Sequence, residues 1–335
     1  MKTAKHIIRI ILVVVGTTFA AATYAQTILK LTHTDQTTGG RHATSVYFAN
    51  KVEEYSKGRV AVKVFCCGQL GNDIKLLEQV ATGGVDFLMS GPGTYAGYLP
   101  GYNVAMMPFL FDNLEQGWKF YDDSKWMKEL EAKAPAKGFR VLASGEAGFR
   151  LLTTKTPINS PSDAKGKKMR VAPTEIMLWT IEAMGFGAQI IPITETYLAI
   201  QQGAVDGEDN PIDTIYAQKF HEVSPYLTFT NHIYSPLTLA MSEKTWSKLT
   251  AVDQEAIMRA AKESSTYSRN WVKDNDKKML DDMVAHGAKL NLTPDIPAFR
   301  KTAEVVYQKA REKYGATDVD AVLAESAEIR KAGKK

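Results

Sequence analysis

An arginine and an asparagine, each placed where a short strand meets a loop, carry the most suggestive chemistry in this sequence. Arg170 lies near the end of the segment GKKMRV, just before a helix that begins near Thr174. In open α/β sheets, ligands bind at strand carboxyl ends and helix N-termini, where a guanidinium matches the two oxygens of a carboxylate. Asn210 precedes Pro211, which favours extended backbone, and its amide can donate and accept together. Such side chains could bind a carboxylate, although Arg170 taken alone is more often an ion-pair residue and the Asn210 segment taken alone is a polar turn.

The sequence contains no recognisable catalytic constellation. None of its six histidines has another histidine four residues away, and there is no phosphate-binding loop, dinucleotide-binding glycine pattern or nucleophile elbow. We therefore expect neither enzymatic activity nor a metal or cofactor. Cys66 and Cys67 are adjacent, and neighbouring cysteines can bridge only through a strained ring. We expect two free thiols on opposite faces of a strand, without zinc.

Strands and helices alternate along most of the chain. In the first half the pattern predicts strands at 28–31, 60–64 and 85–89, with helices from Thr44 and from Asn72 or Asp73. In the second half it predicts strands at 150–154, 168–171 and 188–191, helices at 175–184 and 194–202 (the latter capped by Thr194), and a loop at 206–211. This alternation is typical of doubly wound α/β sheets with right-handed crossovers.

A single long helix is predicted over residues 252–286. Thr250 is a suitable N-cap, and Gly287 is a suitable stop. At 1.5 Å per residue such a helix reaches roughly 50 Å, which is longer than one domain of this size. We expect it to tie two domains together.

The N-terminus has the pattern of a secretory signal peptide. Lys2, Lys5 and Arg9 precede a short apolar stretch, and a small-x-Ala exit ends at Ala25. The stretch is shorter than a membrane-spanning helix, so we expect residues 1–25 to be removed and the mature protein to be periplasmic. The formal net charge of +4 falls by three to +1 when these three cations are lost. A net charge this close to zero does not favour a nucleic-acid partner.

Several segments, in the same order, resemble the solute-binding proteins of TRAP (tripartite ATP-independent) transporters of the dicarboxylate-binding DctP type. Residues 195–211 read ETYLAIQQGAVDGEDNP, which is similar to the signature E-x-Y-x-A-[LI]-Q-x-G-x-[VL]-D-G-x-E-N-P of that family. Residues 166–171 resemble the G-x-K-x-R-V motif of the family, and residues 108–111 resemble its P-[FY]-[LI]-F motif. Residues 58–84 resemble its G-[RK]-[IV]…L-G…G-x-[VIL]-D pattern, and residues 230–233 continue the match. The resemblance covers essentially the whole mature chain.

The resemblance implies a type II-like periplasmic binding fold, in which two doubly wound α/β domains joined by crossing strands and a long helix close over a ligand. We expect residues 26–147 and 236–275 to form domain I and residues 148–235 and 276–335 to form domain II. The small and large TRAP membrane subunits would be its partners, and we expect a monomer.

The resemblance also implies a set of ligand-binding residues. The residues that match family positions are Arg170 for the carboxylate, Asn210 and Arg150 for further polar contacts, and His33, Thr34 and Asp73 from the other domain.

The identity of the acid stays open. A hydroxy, keto or sugar acid would use Arg170 and leave its other oxygens to polar groups, whereas a C4-type dicarboxylate would need a second cation such as Arg150. Asp73 in a pocket favours a hydroxylated ligand over a second carboxylate. The sequence departs from the family pattern at Asp209, where glutamate is usual, and at Ile193, where an aromatic residue is common. A secreted enzyme and an ABC-type or chemoreceptor binding protein remain alternatives.

Overall fold

The computed structural model describes residues 26–333, which form two main β-sheets with helices packed around them. The predicted signal peptide, residues 1–25, lies outside the described residues. The strands are β1 (Thr27–Thr32), β2 (Val60–Phe65), β3 (Phe87–Ser90), β4 (Phe139–Ser144), β5 (Gly148–Phe149), β6 (Leu151–Thr154), β7 (Lys168–Val171), β8 (Gly187–Ile190), β9 (Gly207–Asn210), β10 (Tyr226–Thr228), β11 (Tyr234–Ser235), β12 (Thr238–Ser242) and β13 (Lys289–Asn291). The α-helices are α1 (Gly40–Tyr55), α2 (Asp73–Thr82), α3 (Gly101–Ala105), α4 (Leu114–Asp123), α5 (Lys125–Glu131), α6 (Glu175–Ala183), α7 (Ile193–Gln201), α8 (Ile212–Ala217), α9 (Phe220–Val223), α10 (Glu243–Trp246), α11 (Ala251–Ala285), α12 (Ile296–Tyr314) and α13 (Ala316–Ala332).

The first sheet has the strand order β2-β1-β3-β12-β4. Strands β1, β2 and β3 run parallel, and β12 is antiparallel to both β3 and β4. Buried side chains of β1, α1 and α11, among them Leu31, Phe48 and Ile257, form one core against it. Leu77 and Leu88 belong to a second core. Apolar cores on both faces are typical of a parallel α/β sheet.

The second sheet has the strand order β13-β10-β6-β9-β7-β8. Strand β7 is parallel to β8 and β9, whereas β6 is antiparallel to β9 and β10. Ile200, Leu227 and Met283 belong to one of its cores, and Met169 and Ile181 to another. The predicted fold class, two α/β units each built on its own sheet, is confirmed.

A two-stranded ribbon and one long helix connect the two sheets. Strands β5 and β11 pair antiparallel where the chain crosses from one sheet to the other. Helix α11 contains 35 residues and packs against α1 beside the first sheet and α8 beside the second. The hydroxyl of Thr250 caps it by accepting from the Asp253 backbone N–H at 3.2 Å, and Gly287 follows its end with φ +98°. The prediction of one long helix is confirmed.

The assignment of chain segments to domains I and II stays a prediction. The first sheet takes its strands from residues 27–144 and 238–242, and the second from residues 151–228 and 289–291. The last two helices differ in what they contact. Helix α12 packs against α6, whereas α13 packs against α3 and α4, which precede residue 147.

Two local predictions in the second half are wrong. Residues 206–211 were expected to form a loop, but Gly207–Asn210 form β9, which is fully buried and lies between β6 and β7. The polar composition misled the prediction because Glu208 and Asp209 find hydrogen-bonding partners inside the sheet. Helix α7 has Pro192 as its N-cap residue, so Thr194 lies in the first turn.

The expectation of free thiols is also wrong. Cys66 and Cys67 are joined by a disulfide bond. They follow β2 in a turn in which Cys67 has φ 63°, rather than lying on opposite faces of a strand. The backbone N–H of Cys67 donates to the carbonyl of Asp35 at 3.1 Å, which holds this turn against the loop after β1.

Candidate functional site

A cavity of about 140 Å³ lies between the two sheets and is lined by residues from both. Arg41, Asp73, Ser90 and Thr94 come from the first sheet and its helices. Arg150, Arg170 and Asn210 come from the second sheet, and apolar side chains complete the wall. The cavity therefore brings together four of the six residues nominated from the sequence. They are Arg150, Arg170, Asn210 and Asp73.

Arg170 is a buried cation without an acidic partner. It lies on β7, between β8 and β9, and its register partners are Gln189 on β8 and Glu208 on β9. Its Nε donates to the carbonyl of Ile191 at 2.8 Å, but its buried Nη1 has no partner among the described residues. Burial lowers the pKa of Arg170 to about 10, although nearby Glu208 opposes the shift. A charged guanidinium with unused N–H groups in a cavity is suited to binding an anion.

Asn210 ends β9 and lies on the cavity wall. Its Nδ2 donates to the carboxyl group of Glu208, which also accepts from the Thr153 hydroxyl at 2.6 Å. Burial raises the pKa of Glu208 to about 7 despite these hydrogen bonds. Because an amide carries two N–H groups and one oxygen, Asn210 keeps one donor and one acceptor for a ligand while Glu208 orients it.

Arg150 also lines the cavity, but its charge is already paired. Its Nε lies 2.6 Å from Oδ2 of Asp209, and its Nη2 donates to the backbone carbonyl of the same residue. Asp209 also contacts Nε2 of His232 at 3.2 Å, and the other ring nitrogen of His232 lies 2.8 Å from the Thr230 hydroxyl. Burial alone would raise the pKa of Asp209, but Arg150 and His232 lower it to about 2. The aspartate that replaces the usual glutamate is thus the counter-ion of Arg150.

Asp73 faces Arg170 across the cavity at the start of α2. Its carboxylate accepts from the Ser90 hydroxyl at 2.7 Å and from the Thr34 hydroxyl at 3.1 Å. The Nη1 of Arg41 lies 3.9 Å from it. Asn72 holds this end of the helix in place by accepting from the backbone N–H of Lys75 at 3.1 Å.

His33 and Thr34 do not line the cavity. Thr34 lies behind Asp73, to which it donates its hydroxyl hydrogen. His33 is fully buried, with its Nε2 3.2 Å from Nδ1 of His42. Burial, together with the charge of Arg41, lowers the pKa of His33 to about 3. The structure therefore places Thr34 as a support for Asp73 and His33 in the core next to it.

Sequence reasoning missed Arg41, which lines the cavity from the first turn of α1. Its Nε lies 3.0 Å from Oδ2 of Asp35, and its Nη1 donates to the Thr34 hydroxyl at 3.3 Å. No sequence signal pointed to Arg41, because the helix was predicted to begin at Thr44 and only its observed start at Gly40 places Arg41 in the first turn.

The two sides of the cavity touch each other around its rim. A Cβ placed on Gly93, beside β3, would lie only 2.4 Å from Cγ2 of Thr174, the N-cap of α6. Near the long helix, the backbone N–H of Gly40 donates to Oδ1 of Asp213 at 2.8 Å. Burial and the charge of Asp35 raise the pKa of Asp213 to about 7. These contacts between the two sides mean that the structure has them closed around the cavity.

The family model of the bacterial extracellular solute-binding proteins, family 7, matches residues 32–313. The chain belongs to this family. Its relatives include the 2,3-diketo-L-gulonate-binding periplasmic protein of Escherichia coli, 29% identical over 282 residues that cover 84% of this chain and 86% of the relative. A TRAP periplasmic solute-binding protein of a Polaromonas species, solved with D-erythronate, is 29% identical with a TM-score of 0.85, covering 89% of this chain and 99% of that one. One from Sulfurospirillum deleyianum, solved with succinate, is 29% identical with a TM-score of 0.83, covering 90% and 99%.

Solute-binding proteins of this family serve in transport rather than catalysis, and those compared above take small organic acids. Between residues 26 and 333, none of the helices combines the length and the apolar character needed to cross a bilayer. Over the same range, no three His, Cys, Asp or Glu side chains are grouped so that they could hold a metal ion.

Proposed function

We propose that this protein captures a small organic carboxylate in the periplasm through Arg170 and delivers it to the membrane subunits of a TRAP transporter. The proposal depends most on one observation. Nη1 of Arg170 is buried in the cavity without a hydrogen-bond acceptor, and no carboxylate of the described residues lies within 4.0 Å of this guanidinium. A buried charge without a partner is costly. The carboxylate of a bound acid would supply both the missing charge and the missing acceptors.

Two neighbouring groups would complete the recognition of the carboxylate. Asn210 keeps an N–H group free beside Arg170, because only one of its two is used by Glu208. Arg150 lines the same wall and can offer hydrogen bonds there, although its charge is paired with Asp209. On the opposite wall, the carboxylate of Asp73 would disfavour a second anionic group and favour a neutral or hydroxylated part of the ligand.

Capture would follow from closure of the two sheets over the acid. Gly93 and Thr174 meet on one side of the cavity, and Gly40 and Asp213 meet on the other. In this proposal these contacts form when a ligand bridges the two walls, and the crossing ribbon β5–β11 with helix α11 is the hinge. The closed form is what the membrane subunits would recognise.

Relatives suggest the range of candidate acids. D-erythronate is a hydroxy acid and succinate is a C4 dicarboxylate, and each is bound by a protein 29% identical to this chain. Both carry a carboxylate that could occupy the position facing Arg170. We therefore include hydroxy, keto and sugar acids together with C4 dicarboxylates in the class to be tested.

A thermal-shift screen of residues 26–335 against such acids tests the proposal. An acid present at 100 times its Kd is expected to add roughly 2.7 kcal/mol to the free energy of unfolding, which raises Tm by several degrees. The Arg170→Gln variant should lose this response, whereas Arg259→Gln, at an exposed position on α11, should keep it. If no organic acid shifts Tm, or if Arg170→Gln responds like the wild type, the proposed function is wrong.

The same variant gives a second readout without any ligand. Because Arg170 is buried and lacks an acidic partner, its replacement by glutamine should not lower the Tm of the empty protein, as sites built for binding are often strained when empty. A large loss of Tm in the empty variant would mean that Arg170 holds the fold together rather than binding a ligand.

A further inference from the structure

The cavity is polar at its closed end and apolar at its mouth. Arg150 and Arg170 are only 4% and 2% exposed, so they lie at the inner end. Ile74 on α2 and Ile190 at the end of β8 line the same cavity but are 38% and 51% exposed. They come from opposite walls. A ligand that extends from Arg170 toward solvent therefore passes between two isoleucines.

The wall between these ends is also apolar on the side of the second sheet. Met177 on α6 and Ile193 at the start of α7 line the cavity and are almost fully buried. Their side chains offer no hydrogen-bonding partner apart from a weak thioether acceptor. A ligand hydroxyl pressed against them would lose its water without replacement, which lowers affinity by about 5- to 150-fold for each such group.

The charges lining the cavity do not provide for a second ligand carboxylate. Arg150 is neutralised by Asp209 at 2.6 Å, and Arg41 is neutralised by Asp35 at 3.0 Å. Asp73 adds a negative charge to the wall opposite Arg170. Arg170 is thus the one cation of the described cavity lining without a carboxylate within 4.0 Å.

The hydrogen bonds of Asp73 also weaken the case for a polyhydroxylated ligand. Both carboxylate oxygens already accept hydrogen bonds, Oδ1 from Ser90 at 2.7 Å and both from Thr34 at 3.1 to 3.2 Å. These two donors use about half of the roughly four acceptor positions of the carboxylate, which leaves fewer of them for the hydroxyls of a sugar acid. The expectation of a hydroxylated ligand depended on Asp73 being free.

We propose, building on the function proposed above, that the ligand is a monocarboxylic acid with an apolar body. Its carboxylate faces Arg170 and Asn210, a single hydroxyl or keto group next to the carboxylate is accommodated, and its hydrocarbon end lies between Ile74 and Ile190. Polyhydroxylated sugar acids and dicarboxylates are excluded as preferred ligands.

Two sets of acids matched in chain length test this preference by isothermal titration calorimetry. The four-carbon set is 2-hydroxybutanoate, erythronate and succinate, and the six-carbon set is 2-hydroxyhexanoate, gluconate and adipate. In each set we expect the 2-hydroxy acid with the hydrocarbon end to bind at least ten-fold more tightly than the other two. Each methylene added to that end should improve affinity by roughly four-fold while it fits between the isoleucines.

A pair of variants ties the preference to the mouth of the cavity. Ile190→Thr replaces the apolar side chain with a smaller one that carries a hydroxyl, and we expect it to weaken binding of the longer 2-hydroxy acid several-fold without a comparable loss for gluconate. Ile28→Thr is the matched control. Ile28 is also a strand isoleucine, it is 53% exposed, and it does not line the cavity.

The outcomes separate this inference from the proposed function. If erythronate, gluconate or a dicarboxylate binds more tightly than its matched 2-hydroxy acid, and binding requires Arg170, the apolar-body proposal is wrong while the function stands. The same conclusion follows if Ile190→Thr behaves like Ile28→Thr. If no acid of either set or of the wider screen binds, the proposed function itself fails.

Discussion

Replacing Gly93 with alanine should block closure of the cavity without disturbing the fold. A Cβ at this position would lie 2.4 Å from Cγ2 of Thr174, whereas carbon atoms in ordinary contact are roughly 3.5–4.0 Å apart. The two walls would therefore have to separate by about 1 Å or more at this point. Gly93 does not have a positive φ, so alanine is not strained in its own backbone, and the clash exists only while the walls are together.

The expected loss follows from the cost of overpacking. One extra methyl group in a well-packed contact typically costs about 1–3 kcal/mol, which corresponds to roughly a 5- to 150-fold increase in Kd. The measurement is calorimetric titration of the variant with the tightest acid of the screen, together with thermal unfolding of the empty protein. We expect the Kd to rise within that range while the Tm of the empty protein stays close to that of the wild type.

A second substitution should restore affinity. Thr174→Ser removes the methyl group that would clash but keeps the hydroxyl that accepts from the Met177 backbone N–H at 3.2 Å and caps α6. Gly97→Ala, where a Cβ would meet no atom within 4 Å, is the control for adding a methyl group to the same segment. The reasoning is refuted if Gly93→Ala binds as tightly as the wild type, or if Thr174→Ser does not recover the lost affinity.

Three further predictions concern stability and redox state. Asp209→Asn leaves the buried Arg150 without its counter-ion, so we expect a loss of about 3–5 kcal/mol in urea unfolding; a loss below about 1 kcal/mol would contradict the pairing. Burial and neighbouring charge raise the pKa of Asp213 from 3.8 to about 7, so its contribution to stability is full below about pH 4 and is lost as the pH rises to about 7. Asp213→Asn should therefore gain about 1–3 kcal/mol relative to the wild type between about pH 5 and pH 8, and a difference that is independent of pH would refute this sign. Because Cys66 and Cys67 are bridged, the denatured mature protein should show no reactive thiol before reduction and two afterwards; two thiols without reductant would contradict the bridge.

Local signals in the sequence were sufficient for elements whose ends are set by their own residues. The long helix was predicted at 252–286 and is observed at Ala251–Ala285, because Thr250 caps it and Gly287 stops it. Strand β7 was predicted at its observed bounds. In both cases the residues that determine the element lie within it or next to it in the chain.

Elements that depend on distant partners were not predictable in this way. Strand β9 reads as a polar turn because Gly, Asp and Asn are unfavourable in strands. It is a buried strand because Thr153, its neighbour on β6, hydrogen-bonds Glu208, and Arg150, just before β6, pairs with Asp209. Only the folded sheet brings these groups together.

The binding roles of the nominated residues stay a prediction, but the structure shows where those residues lie. Arg150, Arg170, Asn210 and Asp73 line the cavity, whereas His33 and Thr34 do not. The sequence could not indicate that Arg150 is neutralised while Arg170 is not, because that difference depends on which carboxylate lies within reach of each guanidinium.

The central claim is that Arg170 binds the carboxylate of the ligand, and comparison of an acid with its carboxamide tests it most directly. Calorimetric titration of the wild type and of Arg170→Gln with the tightest acid and its carboxamide separates the charge contribution from the rest of the ligand. We predict that the wild type binds the acid at least 100-fold more tightly than the carboxamide, because the charge-assisted hydrogen bonds are lost, and that this preference falls below ten-fold in Arg170→Gln. An equal preference in both proteins, or a wild type that binds the carboxamide as tightly as the acid, would contradict the account.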